Sequence, residues 1–112
     1  MAAYIIVDVK VTDPEAYERY QATVAPTLAK YGGRFLVRGG PSEILEGEWR
    51  PNRLVVVEFA SMEQAKAWWN SDDYAEPKKL RQSASHTNLV VARKLTIESV
   101  VAIRGFDRRD LN

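Results

Sequence analysis

Residues 53–59 read RLVVVEF. Three valines between a leucine and a phenylalanine favour a strand over a helix. The run is also too continuously apolar for a strand with one wet face. It is expected to be a central strand covered on both sides. Working outward, WRPN (49–52) signals a turn. Before it, Arg34–Arg38 alternates as a second strand. Gly39, Gly40 and Pro41 interrupt that strand, and Ser42–Glu48 is expected to resume it after a bulge or bend. On the other side, Ser61 and Gln64 form a capping box, and Met62, Ala65, Trp68 and Trp69 give the following helix a buried side. Asn70 and Ser71 break that helix. Asp72, Asp73 and Glu76 open a second piece, lined by Tyr74, Leu80 and Pro77.

The outer elements repeat the logic. Tyr4–Lys10 and Asn88–Arg93 read as strands. Between the first of these and the second strand lies a helix. Asp13 can cap it with Pro14 at the first helical position, or a Thr12–Glu15 box can shift the start by one residue. Tyr17, Tyr20, Val24, Leu28 and Tyr31 make its apolar stripe. Pro26 should kink the helix, and Gly32 or Gly33 should close it. The order is β-α-β-β-α-β, that of a ferredoxin-like α+β sandwich with a four-stranded antiparallel sheet and helices on one face. This unit spans 1–93. Residues 94–112 form a C-terminal extension, with an extra strand or helix expected at Thr96–Ile103 and a charged tail after it.

Composition narrows the function. Sixteen basic residues against fifteen acidic ones, in 112, leave a formal charge of +1. Such a balance gives no general attraction for nucleic acid or acidic membranes. The absence of cysteine excludes thiolate metal sites and fits a reducing, cytoplasmic setting. No secretory leader and no membrane-spanning run is expected. The glycine pairs of YGGRFLVRGG (31–40) follow a helix instead of opening one, so they do not read as a phosphate cradle. His86, the one histidine, reads as a solvated loop residue before the last strand. No ligand-spaced metal motif and no cofactor motif is present.

Strand alternation then sorts the charges. Ile5, Val7, Val9, Val55, Val57 and Phe59 belong against the helices. By elimination Tyr4, Asp8, Arg34, Arg38, Glu58 and Asn88 gather on the uncovered face, with Asp8 near Glu58. That face is apolar between its charges and calls for a partner, most simply a second copy. Covered in this way, the charges would either settle the rim of a homodimer interface or line a small-ligand pocket.

The stretches TDPEAYERY, YGGRFLVRGG, LEGEWRP, RLVVVEFASMEQAKAWWNSDDY and KKLRQSA, in that order, resemble the bacterial family called domain of unknown function 1330, from the first strand to Val91. The resemblance implies a dimeric α+β barrel, in which two such sheets pack face to face. The wider superfamily includes cofactor-free monooxygenases, lactone isomerases, haem-handling enzymes and stress-response proteins. Two functions follow as expectations. In the first, the protein is a cofactor-independent enzyme for a small anionic or aromatic molecule. Arg38, helped by Arg34, would anchor the substrate, Glu58 or Asp8 would be the general base if its pKa is raised, and Tyr4 and Asn88 would orient the substrate. In the second, it is a non-catalytic ligand-binding or stress-response dimer whose charges hold the sheets in register.

Overall fold

The computed structural model describes residues 1–95. Their elements are β1 (Ala3–Val11), α1 (Pro14–Lys30), β2 (Arg34–Arg38), β3 (Arg53–Phe59), α2 (Met62–Trp69), α3 (Asp72–Ala84) and β4 (Ser85–Arg93). The four strands form one antiparallel sheet in the order β2-β3-β1-β4. This is the ferredoxin-like order, with RLVVVEF as an inner strand and the second helix in two pieces.

Each helix starts where a polar side chain can satisfy an otherwise unpaired N–H. Asp13 accepts from Ala16 N (3.2 Å) with Pro14 just inside α1, Ser61 accepts from Gln64 N (3.1 Å), and Ser71 accepts from Tyr74 N (3.1 Å). Helix α1 continues through Pro26 to Lys30. It closes on Gly32 at φ +78°, with Gly33 N–H donating to Leu28 O and Gly32 N–H to Ala29 O. Both bonds are those of a Schellman cap, so Gly32 supplies the left-handed residue. Gly33 is small for a different reason: a Cβ there would lie 2.8 Å from the Phe59 ring.

One face of the sheet and the inner sides of the helices form the core. Ile5, Val7, Val9, Val55, Val57 and Phe59 are all buried there, against Tyr17, Tyr20, Val24, Leu28, Trp68 and Tyr74. The Trp68 and Tyr74 rings lie 3.9 Å apart between centroids, and Trp68 Nε1 donates to Thr27 Oγ1 (3.0 Å). Large aromatic rings with satisfied polar ends fill a single-layer sandwich of this size efficiently.

Three sequence expectations need correction. Residues 42–48 add no strand: the chain from Gly39 to Asn52 is a loop. Its glycines and Pro41 interrupt the ladder, and the sheet edge ends at Arg38. Strand β4 begins at Ser85, so His86 lies within a strand, exposed and opposite Lys10. The bulge falls inside β2. Phe35 pairs with Val57 and Val37 with Val56, leaving Leu36 as the extra residue. Side-chain direction reverses there, which moves Arg38 off the face assigned by simple alternation. The extra element expected at 96–103 and the charged tail lie outside the described residues. Among the described residues, no helix is long and apolar enough to cross a membrane.

Candidate functional site

The uncovered face is organised in rows across the strands. At one end lie Arg34, Glu58 and Tyr4, cross-strand neighbours on β2, β3 and β1. Arg34 Nε and Nη2 both reach Glu58 Oε1, at 2.8 and 2.7 Å. The middle row is apolar and bare: Val37, Val56, Ile6 and Val90, with Val37, Ile6 and Val90 exposed at 41%, 37% and 58%. Beyond it Asp8 pairs with Asn88 on one side and Leu54 on the other.

Asp8 and Glu58 are therefore not close neighbours. Glu58 sits opposite Tyr4, four residues along β1 from Asp8, a separation of roughly 13 Å at the strand rise. Both Asp8 oxygens are occupied. Oδ1 accepts from Asn52 N (2.9 Å) and Oδ2 from Trp49 Nε1 (3.0 Å). The Asn52 N–H, and after it the Trp49 indole, hold the Asp8 carboxyl below the usual carboxylate range. That is the reverse of the elevation a general base calls for. Asp8 instead fastens the 39–52 loop to the sheet. The loop carries exposed Ile44, Leu45 and Trp49.

The other face holds a cavity. It measures about 40 Å³ and lies between the sheet and the helices. Its floor is Ile5, Val7, Val55 and Val57, with Tyr17, Tyr20 and Val24 of α1 above. The bulge turns Arg38 to this side, where its guanidinium lies 4.2 Å above the Phe35 ring. Arg53 comes from the start of β3, opposite buried Val9. Its guanidinium is 5.9 Å from the Tyr17 ring, Nη2 reaches Arg38 O at 3.4 Å, and Nε is buried without a hydrogen-bond partner. Gly39, at φ +71°, gives that guanidinium room: a Cβ there would run into Arg53 Nη1 and Cζ.

Arg81 of α3 also lines the cavity and is only 4% exposed. Its Nε donates to Tyr74 Oη (3.2 Å), which is 2.9 Å from Tyr20 Oη. Burial, and next the neighbouring Tyr74, push the Tyr20 hydroxyl far above the ordinary tyrosine range. Tyr20 is thus a neutral hydrogen-bonding group at any physiological pH. Among the described residues, no carboxylate lies within salt-bridge distance of Arg38, Arg53 or Arg81. No three His, Cys, Asp or Glu side chains among them converge on a point where a metal ion could sit. A guanidinium-lined cavity suits anions.

Of the six candidates read from the sequence, Tyr4, Asp8, Arg34, Glu58 and Asn88 share the open face and Arg38 does not. Arg53 and Arg81 were missed. In sequence, Arg53 is merely the polar end of a strand and Arg81 one cation in KKLRQ. The one visible hint was helical spacing: Arg81 is seven residues from Tyr74, which puts it on the buried side of α3.

The fold recurs in solved structures. One is a protein of unknown function from Rhodopseudomonas palustris (19% identity, covering 85% of this chain and 83% of that one, TM-score 0.70). Another is SnoaB, a cofactor-independent oxygenase from Streptomyces nogalater (13% identity, 86% and 96% coverage, TM-score 0.58). A third is a dimeric ferredoxin-like protein of unknown function from Jannaschia sp. CCS1 (12% identity, 84% and 100% coverage, TM-score 0.59). At these identities the fold alone is shared. No curated protein matches significantly. The family model described as Domain of unknown function (DUF1330) matches residues 2–95, from the first strand through the last, and the chain belongs to that family.

Proposed function

We propose that this protein is a homodimer that takes a small anionic or aromatic molecule into the cavity between sheet and helices and transforms it without a bound cofactor. The observation that carries the reading is the convergence of Arg38 and Arg53 on a tyrosine-lined apolar cavity, with no carboxylate among the described residues to pair with them and the Arg53 Nε–H buried without an acceptor. A buried donor without an acceptor is costly, so this reading gives the Arg53 Nε–H a ligand oxygen as its partner. At about 40 Å³ the cavity has room for little more than a few waters, so the ligand is compact or enters as the Arg38 and Arg53 side chains move aside.

Among the described residues, the cavity lining holds no carboxylate and no imidazole. Any chemistry there must start from a substrate with its own ionisable oxygen, whose negative charge the guanidiniums stabilise. The likeness in fold to a cofactor-independent oxygenase is in keeping with chemistry that needs no bound cofactor. The same lack of acid–base groups also favours a second reading, a binding module that returns its ligand unchanged.

The dimer forms through the open face in this reading. The Val37–Val56–Ile6–Val90 row is its apolar centre, and the Arg34–Glu58 pair and Asp8 sit at its edges, holding the sheets in register. A thermal-shift screen of phenols, quinones and small organic acids, followed by oxygen uptake and product analysis for each hit, tests the function. A ligand at about 100 times its Kd should add about 2.7 kcal/mol, and Arg53→Ala should abolish the shift. Stabilisation without turnover selects the binding module. If no compound stabilises the protein, or if Arg53→Ala responds like wild type, the cavity is not the site.

A further inference from the structure

Tyr20, Tyr74 and Arg81 hold more hydrogen-bond donors than they can use among themselves. Arg81 Nε–H can only donate, and Tyr74 Oη accepts it. The two hydroxyls share one further bond, which either can donate. Whichever way it runs, one O–H hydrogen of the pair is left over. No other hydrogen bond joins either hydroxyl to a described residue, and none joins the Arg81 Nη groups to one. All three side chains are more than nine-tenths buried, and Tyr20 and Arg81 line the cavity. The cluster offers spare donors and a positive charge, and its one kind of acceptor is a neutral hydroxyl oxygen.

We propose that this cluster is the anchor for a carboxylate group of the ligand. The inference rests on the cavity being the binding site and adds the chemistry and orientation of what enters. Arg81 approaches from the β4 side of the sheet, whereas Arg38 comes from β2, the opposite edge strand. The carboxylate takes the Arg81 Nη groups and the spare tyrosine O–H. The remainder of the molecule extends over the valine floor toward Arg38 and Arg53. A planar guanidinium with an adjacent O–H donor matches the two oxygens of a carboxylate, and such charge-assisted bonds are strong where water is excluded. The Tyr20 hydroxyl, raised by burial and by Tyr74, stays protonated and cannot repel the anion.

The alternative lies beside the cluster. Arg81 also borders a polar surface groove with Gln82, Ser85 and His86, and water standing there could satisfy its Nη groups. The full-length protein, labelled with ¹⁵N, distinguishes the two. The Arg81 Nε–H signal, identified by its loss in Arg81→Lys, is followed during titration with acetate and benzoate and, in parallel, with the neutral acetamide and benzamide. The expected result is a saturable shift with the acids, at least tenfold tighter than with the amides, and a further tenfold weakening of acid binding in Tyr74→Phe. If benzamide binds as tightly as benzoate and the Arg81 signal stays fixed, the cavity reading survives and the carboxylate anchor is rejected. If neither series binds, the carboxylate anchor is rejected, and the thermal-shift screen with phenols and quinones decides whether the cavity reading stands. Should Arg81→Lys not fold, the signal is assigned by triple-resonance spectra, and the acid–amide comparison in wild type decides alone.

Discussion

Asp8 shows how one residue's partners can reverse its assigned role. A carboxylate in an apolar strand suggests a base, yet backbone and indole N–H groups fill both of its oxygens. Asp8→Asn should therefore cost about 1 kcal/mol of stability, less than a buried charge-assisted pair would, because the bonds are near solvent. Its pH dependence follows from the lowered pKa. A depressed carboxyl stabilises the fold above its unfolded value, about 3.9, and that contribution is lost as pH falls through the lower folded value. The difference in Tm between wild type and Asp8→Asn should be constant at neutral pH and shrink below about pH 4; a gap that persists unchanged at pH 2 would contradict it. Thr27→Val is the counterpart at a half-buried site. It removes the acceptor of the Trp68 indole N–H and should cost about 1–3 kcal/mol in chemical denaturation. None of these partnerships was legible in the sequence, because Asp8 and Trp49, like Thr27 and Trp68, are 41 residues apart.

At the scale of elements, helix starts and strand alternation were largely legible, since both rest on neighbours within a few residues. Asp13, Ser61 and Ser71 cap as their side chains allow, and β1 and β3 alternate as their valines dictate. Strand β2 is the exception. Its one extra residue, Leu36, moves Arg38 from the open face to the cavity. A bulge is set by register against the adjacent strand, which a single strand's own pattern does not encode. Two glycines test the local geometry. Gly33→Ala pushes a methyl into the rigid Phe59 ring and should lower stability by about 1–3 kcal/mol through overpacking. Gly39→Ala forces a left-handed residue at φ +71°, costing about 1–2 kcal/mol. It also displaces the Arg53 guanidinium, so ligand affinity should fall in calorimetric titration by more than the loss of stability explains.

For the whole molecule, the homodimer we propose would use the open face as its interface. Ile6→Lys or Val90→Lys places a charge in the bare apolar row without touching the core. Either should shift the protein toward monomer in light scattering while far-ultraviolet dichroism stays native. A dimer unchanged by both would move the interface elsewhere. The sequence by itself determined the element order, the identity of the core face and the bareness of the opposite one. Those depend on hydrophobic period and on the fact that one layer of helices covers one side of a sheet. Only the tertiary structure decided where the cations go. Arg38, Arg53 and Arg81 come from β2, β3 and α3 to line one cavity, and Asp8 and Glu58 are kept apart by register. Convergence of that kind depends on strand offset and helix docking, which link residues far apart in the chain and leave no periodic trace in it.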